Sequence, residues 1–278
     1  MIGRSTAAIS QYVGKKFEGN LIEFEKDIVS LLRREEDVDF PLRNPSFCLT
    51  SVSQKIWTVL RSCDQDSDMG LIVGPAGCGK TETIREYKRQ FRSTVYMTAD
   101  VTMRSVGSVL LLISRQLPGV ARFSSTNSAF LQKIIEHLKN SRRLLVIDEA
   151  HFLSWEAFEV LRKIHDCAGT GVVFAGQQRI YDEMRGGRRS FMWDQIYSRV
   201  GVRVSIKEIF REDATMIVNN LYPSIDKKSM DFLFSKAVGA GKFRVMTKLL
   251  QRAQRVANKE GSPVSVELLR EANQLLLL

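Results

Sequence analysis

The sequence predicts an α/β fold: a parallel sheet wrapped by helices, with a helical lid behind it. Three observations carry that reading. Short apolar runs alternate with longer amphipathic stretches as far as about Ser205. A glycine-rich turn follows the first of these runs and opens a helix. Beyond Lys207 the strand signals stop and only helical periodicity remains. With 278 residues, 44% of them hydrophobic, the chain can bury one large α/β core and a smaller helical one.

Taken in order, Ser5 to Glu36 reads as two helices around a turn at Gly14 to Asn20, with Ile22, Phe24, Ile28, Leu31 and Leu32 forming an apolar face. A charged linker with Pro41 and Pro45 follows. The expected division is a small N-terminal helical segment at 1–40, an α/β core at 41–206 and a C-terminal helical lid at 207–278. Strands are predicted at Met69 to Val73, Thr94 to Thr98, Leu144 to Ile147, Val172 to Ala175 and Val200 to Val204. The lid should hold helices at Asp213 to Leu221, Lys228 to Val238, Phe243 to Lys259 and Val266 to Leu277. Cys48, Cys63, Cys78 and Cys167 lack metal-ligand spacing and read as ordinary thiols. No stretch approaches the ~18 apolar residues of a membrane span, and Met1 to Lys16 lacks a secretion core, so a cytoplasmic protein with no membrane partner is expected. The formal net charge of +10 favours a polyanionic partner.

Gly74-Pro75-Ala76-Gly77-Cys78-Gly79-Lys80-Thr81 fits the pattern GxxxxGK[ST], after an apolar strand and before a helix carrying Ile84, Tyr87 and Phe91. Such a P-loop curls its backbone N–H groups around the β-phosphate of ATP. Lys80 reaches the β and γ oxygens, and the Thr81 hydroxyl ligates Mg²⁺. The run Leu144 to Ile147 ends in Asp148 and Glu149 at the sheet edge where ligands of open α/β sheets sit. Asp148 would hold the magnesium shell, and Glu149 would deprotonate the attacking water. His151 is read as structural or supporting. At the end of the next strand an amide from Gln177, with Gln178 as the alternative, would touch the γ-phosphate or its water, the other reading being a polar turn.

Arg199 precedes the last strand and is expected at the sheet edge remote from its own P-loop. There it either completes a neighbouring subunit's site or forms a surface ion pair. Arg244 opens a lid helix and would fold over the γ-phosphate. Between Arg179 and Arg203 six arginines face three acids. Arg188 and Arg189, with Thr102 and Arg104, are candidate DNA contacts, the alternative being a solvated basic face.

Together Gln54 to Trp57, the P-loop with Glu82 to Arg89, Asp148-Glu149-Ala150, Gly176 to Tyr181, Gly186-Gly187 and Tyr197-Ser198-Arg199 resemble the MuB-like AAA+ ATPases. These are target-DNA activators of phage transposition, within the wider group of TnsC and IstB ATPases. The resemblance runs from about Ser5 to the C-terminus. It implies an ATPase that assembles with ATP into a homo-oligomer, a ring or helical filament on double-stranded DNA, and engages a transposase in the cytoplasm of a bacterial or phage-infected host. It also implies that Arg199 is the arginine finger, Arg244 the second sensor, and Gln177 the first sensor, where the family has Asn. Ser5 to Tyr12 resembles the recognition helix of that family's helix-turn-helix. Without the helices that pack it into a major groove, no base-specific readout is expected from it. The rival readings are a DnaC-type helicase loader and a DNA-binding scaffold with vestigial hydrolysis.

Overall fold

A computed structural model describes residues 47–274 apart from positions 104, 118, 121–125, 140, 142 and 187–189. The N-terminal helical segment and its linker, Arg104, Arg188, Arg189 and the tail Leu275 to Leu278 lie outside the described residues. The chain divides into two units, Met1–Asn44 and Pro45–Leu278.

Helix α1 (Ser51–Asp66) is capped by the Thr50 side chain, which accepts from the Ser53 amide. It buries Val52, Ile56, Val59, Leu60 and Cys63, the spacing of a single helical face. Strand β1 (Met69–Val73), wholly buried, leads through the glycine-rich loop into α2 (Lys80–Gln90). Then come β2 (Val95–Thr98), α3 (Val106–Arg115), α4 (Asn127–Leu138) and β3 (Leu144–Asp148). A short 3-10 turn at Ala150–Phe152 precedes α5 (Trp155–Ala168), β4 (Gly171–Gly176), α6 (Arg179–Gly186), α7 (Ser190–Tyr197) and β5 (Val200–Ser205).

The five strands are parallel, in the order β2-β3-β4-β1-β5. β1, β3 and β4 are buried on both faces, and for that reason they read as continuous apolar runs. Their residues divide alternately between two cores. Ile72, Val146 and Val173 face α1, α2 and the lid, while Leu71, Ile147 and Phe174 face α3, α4, α5 and α7.

The lid helices α8 (Arg211–Leu221), α9 (Lys227–Val238), α10 (Lys242–Glu260) and α11 (Val266–Gln274) send Val218, Leu233, Leu249 and Leu269 into the first of these cores. A polar joint reinforces the packing. Asp213 of α8, 2% exposed, accepts from the Ser51 backbone N–H and hydroxyl at 2.6 Å each, supplying the start of α1 with a negative charge its own first turn lacks. Observed strand ends differ from the expected ones by at most one residue. Among the described residues no helix is long and apolar enough to cross a membrane, and Cys48, Cys63, Cys78 and Cys167 are all free thiols.

Candidate nucleotide site

The loop between β1 and α2 is tied down at both sides, because the Gly74 amide donates to the Gly176 carbonyl at 3.1 Å and the Ile206 amide to the Val73 carbonyl at 2.8 Å. Gly77 and Gly79 take φ values of 81° and 101°, a region closed to most side chains, and so turn the loop's amides inward. At Gly77 a Cβ would lie 2.0 Å from the Gly241 carbonyl oxygen and 3.1 Å from the Arg244 Cβ, so the lid backbone rests directly on the loop. Lys80, 6% exposed, donates from Nζ to the carbonyls of Gly74 at 2.8 Å and Pro75 at 3.0 Å. Both acceptors are neutral, and a phosphate oxygen is the stronger partner for an ammonium.

Asp148 is wholly buried, and burial of a carboxylate is costly without donors. Three supply them: Thr81 Oγ1 at 2.6 Å and Tyr96 OH at 3.3 Å to Oδ2, and the Glu149 amide at 2.8 Å to Oδ1. A hydroxyl and a carboxylate meeting at the loop fit a hard cation such as Mg²⁺, which takes one or two protein oxygens and completes its shell with phosphate and water.

Glu149 follows at φ 52°, an uncommon backbone for a residue with a side chain, where β3 breaks into the 3-10 turn. Burial, then the charge of Asp148, holds its carboxyl above the ordinary range, with Lys80 and Arg244 pulling the other way. His151 lies against it. Its ring Nδ1 is 3.3 Å from Glu149 Oε2, close enough for an electrostatic contact but not aligned as a hydrogen bond. Burial, Arg179 and Lys80 push this imidazole's pKa down, favouring the neutral ring. The bare Gly176 makes room for it, since a Cβ there would sit 3.2 Å from Nδ1.

Of the two glutamines after β4, Gln178 is spent on structure: it accepts from Ser205 Oγ at 2.9 Å and donates to Asp182 at 3.2 Å. Gln177 is exposed and lines a cavity of about 600 Å³ with Pro75, Ala76, Lys207 and Lys242. The sequence reading missed both lysines and Tyr96. The Gly-Ala-Gly-Lys run before α10 was the available signal for Lys242, which takes φ 49° and donates from Nζ to the Val238 carbonyl at 2.7 Å. Arg244, exposed in the first turn of α10, lies near enough to Glu149 to favour its charged form.

Arg199 is not part of this cluster. Register pairs Val200 with Met69 and Ser205 with Val73, which puts Arg199 at the amino end of the sheet, about 13 Å of strand from the loop. Its guanidinium Nε donates to Asp166 at 2.7 Å and Nη1 to the Gln195 carbonyl at 3.0 Å. Thr102 is exposed beyond β2, its amide and hydroxyl both donating to Asp100 Oδ1, at 2.7 and 2.6 Å.

Fold and site define an ATPase of the AAA class: the AAA domain family matches residues 63–184. A second family, the C-terminal part of the Mu B transposition protein, matches residues 198–276. The chain is 26% identical over 270 residues to the ATP-dependent target DNA activator B of Escherichia phage Mu, covering 97% of this chain and 86% of that one. It is 25% identical over 248 residues to the Mu-like prophage FluMu DNA transposition protein B of Haemophilus influenzae, covering 88% and 86%. Among solved structures, the Aeropyrum pernix ORC1 protein in complex with DNA superposes with a TM-score of 0.63 at 15% identity over 84% of this chain and 68% of that one, a likeness of fold alone. Along most of its length the chain is similar to the MuB-like AAA+ ATPases.

Proposed function

We propose that this ATPase assembles with ATP on duplex DNA, as a ring or helical filament, and activates or selects target DNA for a transposase. The observation that supports the reading is the contrast between the two ends of the sheet. Lys80, Thr81, Asp148 and Glu149 converge at the carboxyl end, and the finger candidate Arg199 stands at the amino end, away from its own loop, a placement that suits service to another subunit. The relatives named for target-DNA activation and transposition support the wider role, and the charge of +10 supports a polyanionic partner. In this scheme 41–206 is the ATPase core, 207–278 the lid and 1–40 a separate segment. Thr102 with Arg104, Arg188 and Arg189 supplies DNA contacts, and the protein works in the cytoplasm of the host cell.

Each residue then has a task. Lys80 leaves its loop carbonyls for the β and γ oxygens of the nucleotide, and the loop amides hold the β-phosphate. Thr81 and Asp148 would hold Mg²⁺, which when bound would neutralise developing phosphate charge. Glu149 accepts the proton of the water that attacks the γ-phosphorus, its pKa raised by burial and by the charge of Asp148. Gln177 reads the γ-phosphate, and Arg244 carries its presence to the lid.

Electron microscopy of the protein with duplex DNA, with and without a slowly hydrolysed ATP analogue, tests the proposal. Nucleotide-dependent polymers on duplex are expected, with turnover rising when DNA is added. A chain that stays monomeric and indifferent to duplex under saturating nucleotide sinks it. Preference for single strands at matched salt would point instead to the helicase-loader reading.

A further inference from the structure

Asp166 lies in the last turn of α5, where the helix dipole disfavours a carboxylate. Two guanidiniums compensate. Asp166 Oδ1 accepts from Arg199 Nε and Oδ2 from Arg162 Nη1, both at 2.7 Å, and Arg162 in turn forks onto Glu159 at 2.8 Å. Arg199 is held a second time by the Gln195 carbonyl of α7. Among the described residues nothing accepts from its Nη2, so the outer edge of the fork keeps donors to spare.

Both anchors are rigid with respect to each other. Trp155 of α5 donates from Nε1 to the Met192 carbonyl of α7 at 2.8 Å, the rings of Phe158 and Trp193 meet edge to face at 4.9 Å, and Ile196 is fully buried between the helices. An arginine that must meet a phosphate on another subunit loses less rotamer freedom on engagement if it is already held extended.

We propose that Asp166 is a positioning residue that presets Arg199 for the γ-phosphate bound by a neighbouring copy of this chain. The inference rests on the reading of Arg199 as a finger. An ordinary half-exposed ion pair has little effect on folding and none on turnover, and that contrast supplies the test.

Full-length Asp166→Asn is compared with wild type, Asp166→Glu, Arg199→Ala and Lys80→Ala for kcat, KM, nucleotide affinity and melting temperature. Asp166→Asn should lose about 10- to 100-fold in kcat with affinity and melting temperature unchanged, and Asp166→Glu should recover part of the loss. Mixing Asp166→Asn with Lys80→Ala should restore turnover. At a mixed junction the intact P-loop of the first meets an Arg199 still held by Asp166 on the second. A defect internal to the Asp166→Asn site would not be rescued in this way, and failure of rescue overturns the proposal. Wild-type kcat in Asp166→Asn beside an inactive Arg199→Ala overturns it too, while the finger stands. Wild-type kcat in Arg199→Ala removes the finger reading itself.

Discussion

At the carboxyl end of the sheet Lys80 and Asp148 are 6% and 0% exposed, whereas at the amino end Arg199 keeps 36% of its side chain in solvent. The first end is braced from several elements at once: loop carbonyls on Lys80, and the Thr81 hydroxyl of α2, the Tyr96 hydroxyl of β2 and the Glu149 amide on Asp148. The second is held from a different helix, through Asp166. Groups that bind a ligand within their own chain can be buried and preorganised from all sides. A group destined for another molecule must stay reachable, and can be braced only from behind.

Arg199→Ala tests this contrast most severely. It should lower turnover by about 10³-fold or more while nucleotide affinity, measured by fluorescent-nucleotide titration, stays at the wild-type value. A loss of affinity would mean that the arginine serves its own site, and the contrast would fail. Glu149→Gln comes next, with a loss of about 10²-fold or more in turnover, retained ATP and longer residence on DNA in a dissociation assay. Turnover at the wild-type rate would remove Glu149 as the base.

Two smaller effects concern how each end is braced. Asp213→Ala leaves the start of α1 without its acceptor and should cost about 2 kcal/mol in denaturant unfolding, because hydrogen bonds to a buried carboxylate are among the stronger ones. An unchanged midpoint would show that apolar packing alone joins lid to core. Trp155→Phe removes the indole bond to Met192 and should cost about 1 kcal/mol, with a lower kcat and an unchanged nucleotide affinity if α7 carries the finger.

Much of the fold was legible beforehand. Strands buried on both faces leave unmistakable apolar runs, as Leu144 to Ile147 does, and the lid helices carry their 3.6-residue period openly. The strand order was not legible, since nothing local in β1 records that it lies between β4 and β5. The phosphate loop and the Asp148-Glu149 pair stood out as contiguous strings. Tyr96 and Lys207 did not, because each reaches the site from a separate element with no pattern of its own, and the Gly-Ala-Gly-Lys run at Lys242 lies far from the loop in sequence. The exposed Thr102 was picked out, but not that its hydroxyl is taken by Asp100.

What the sequence determined by itself is the geometry that short-range chemistry dictates. Glycines at 77 and 79 permit positive φ, the helix beginning at Lys80 directs its amides toward an anion, and apolar runs seek a core. Tertiary structure alone decided which distant partners those elements acquire: Asp213 on Ser51, Asp166 on Arg199, the lid backbone against Gly77. The reason is physical. A dihedral preference is a property of one residue, whereas a contact between residues far apart in sequence exists only after packing has met the entropy cost of closing the chain between them.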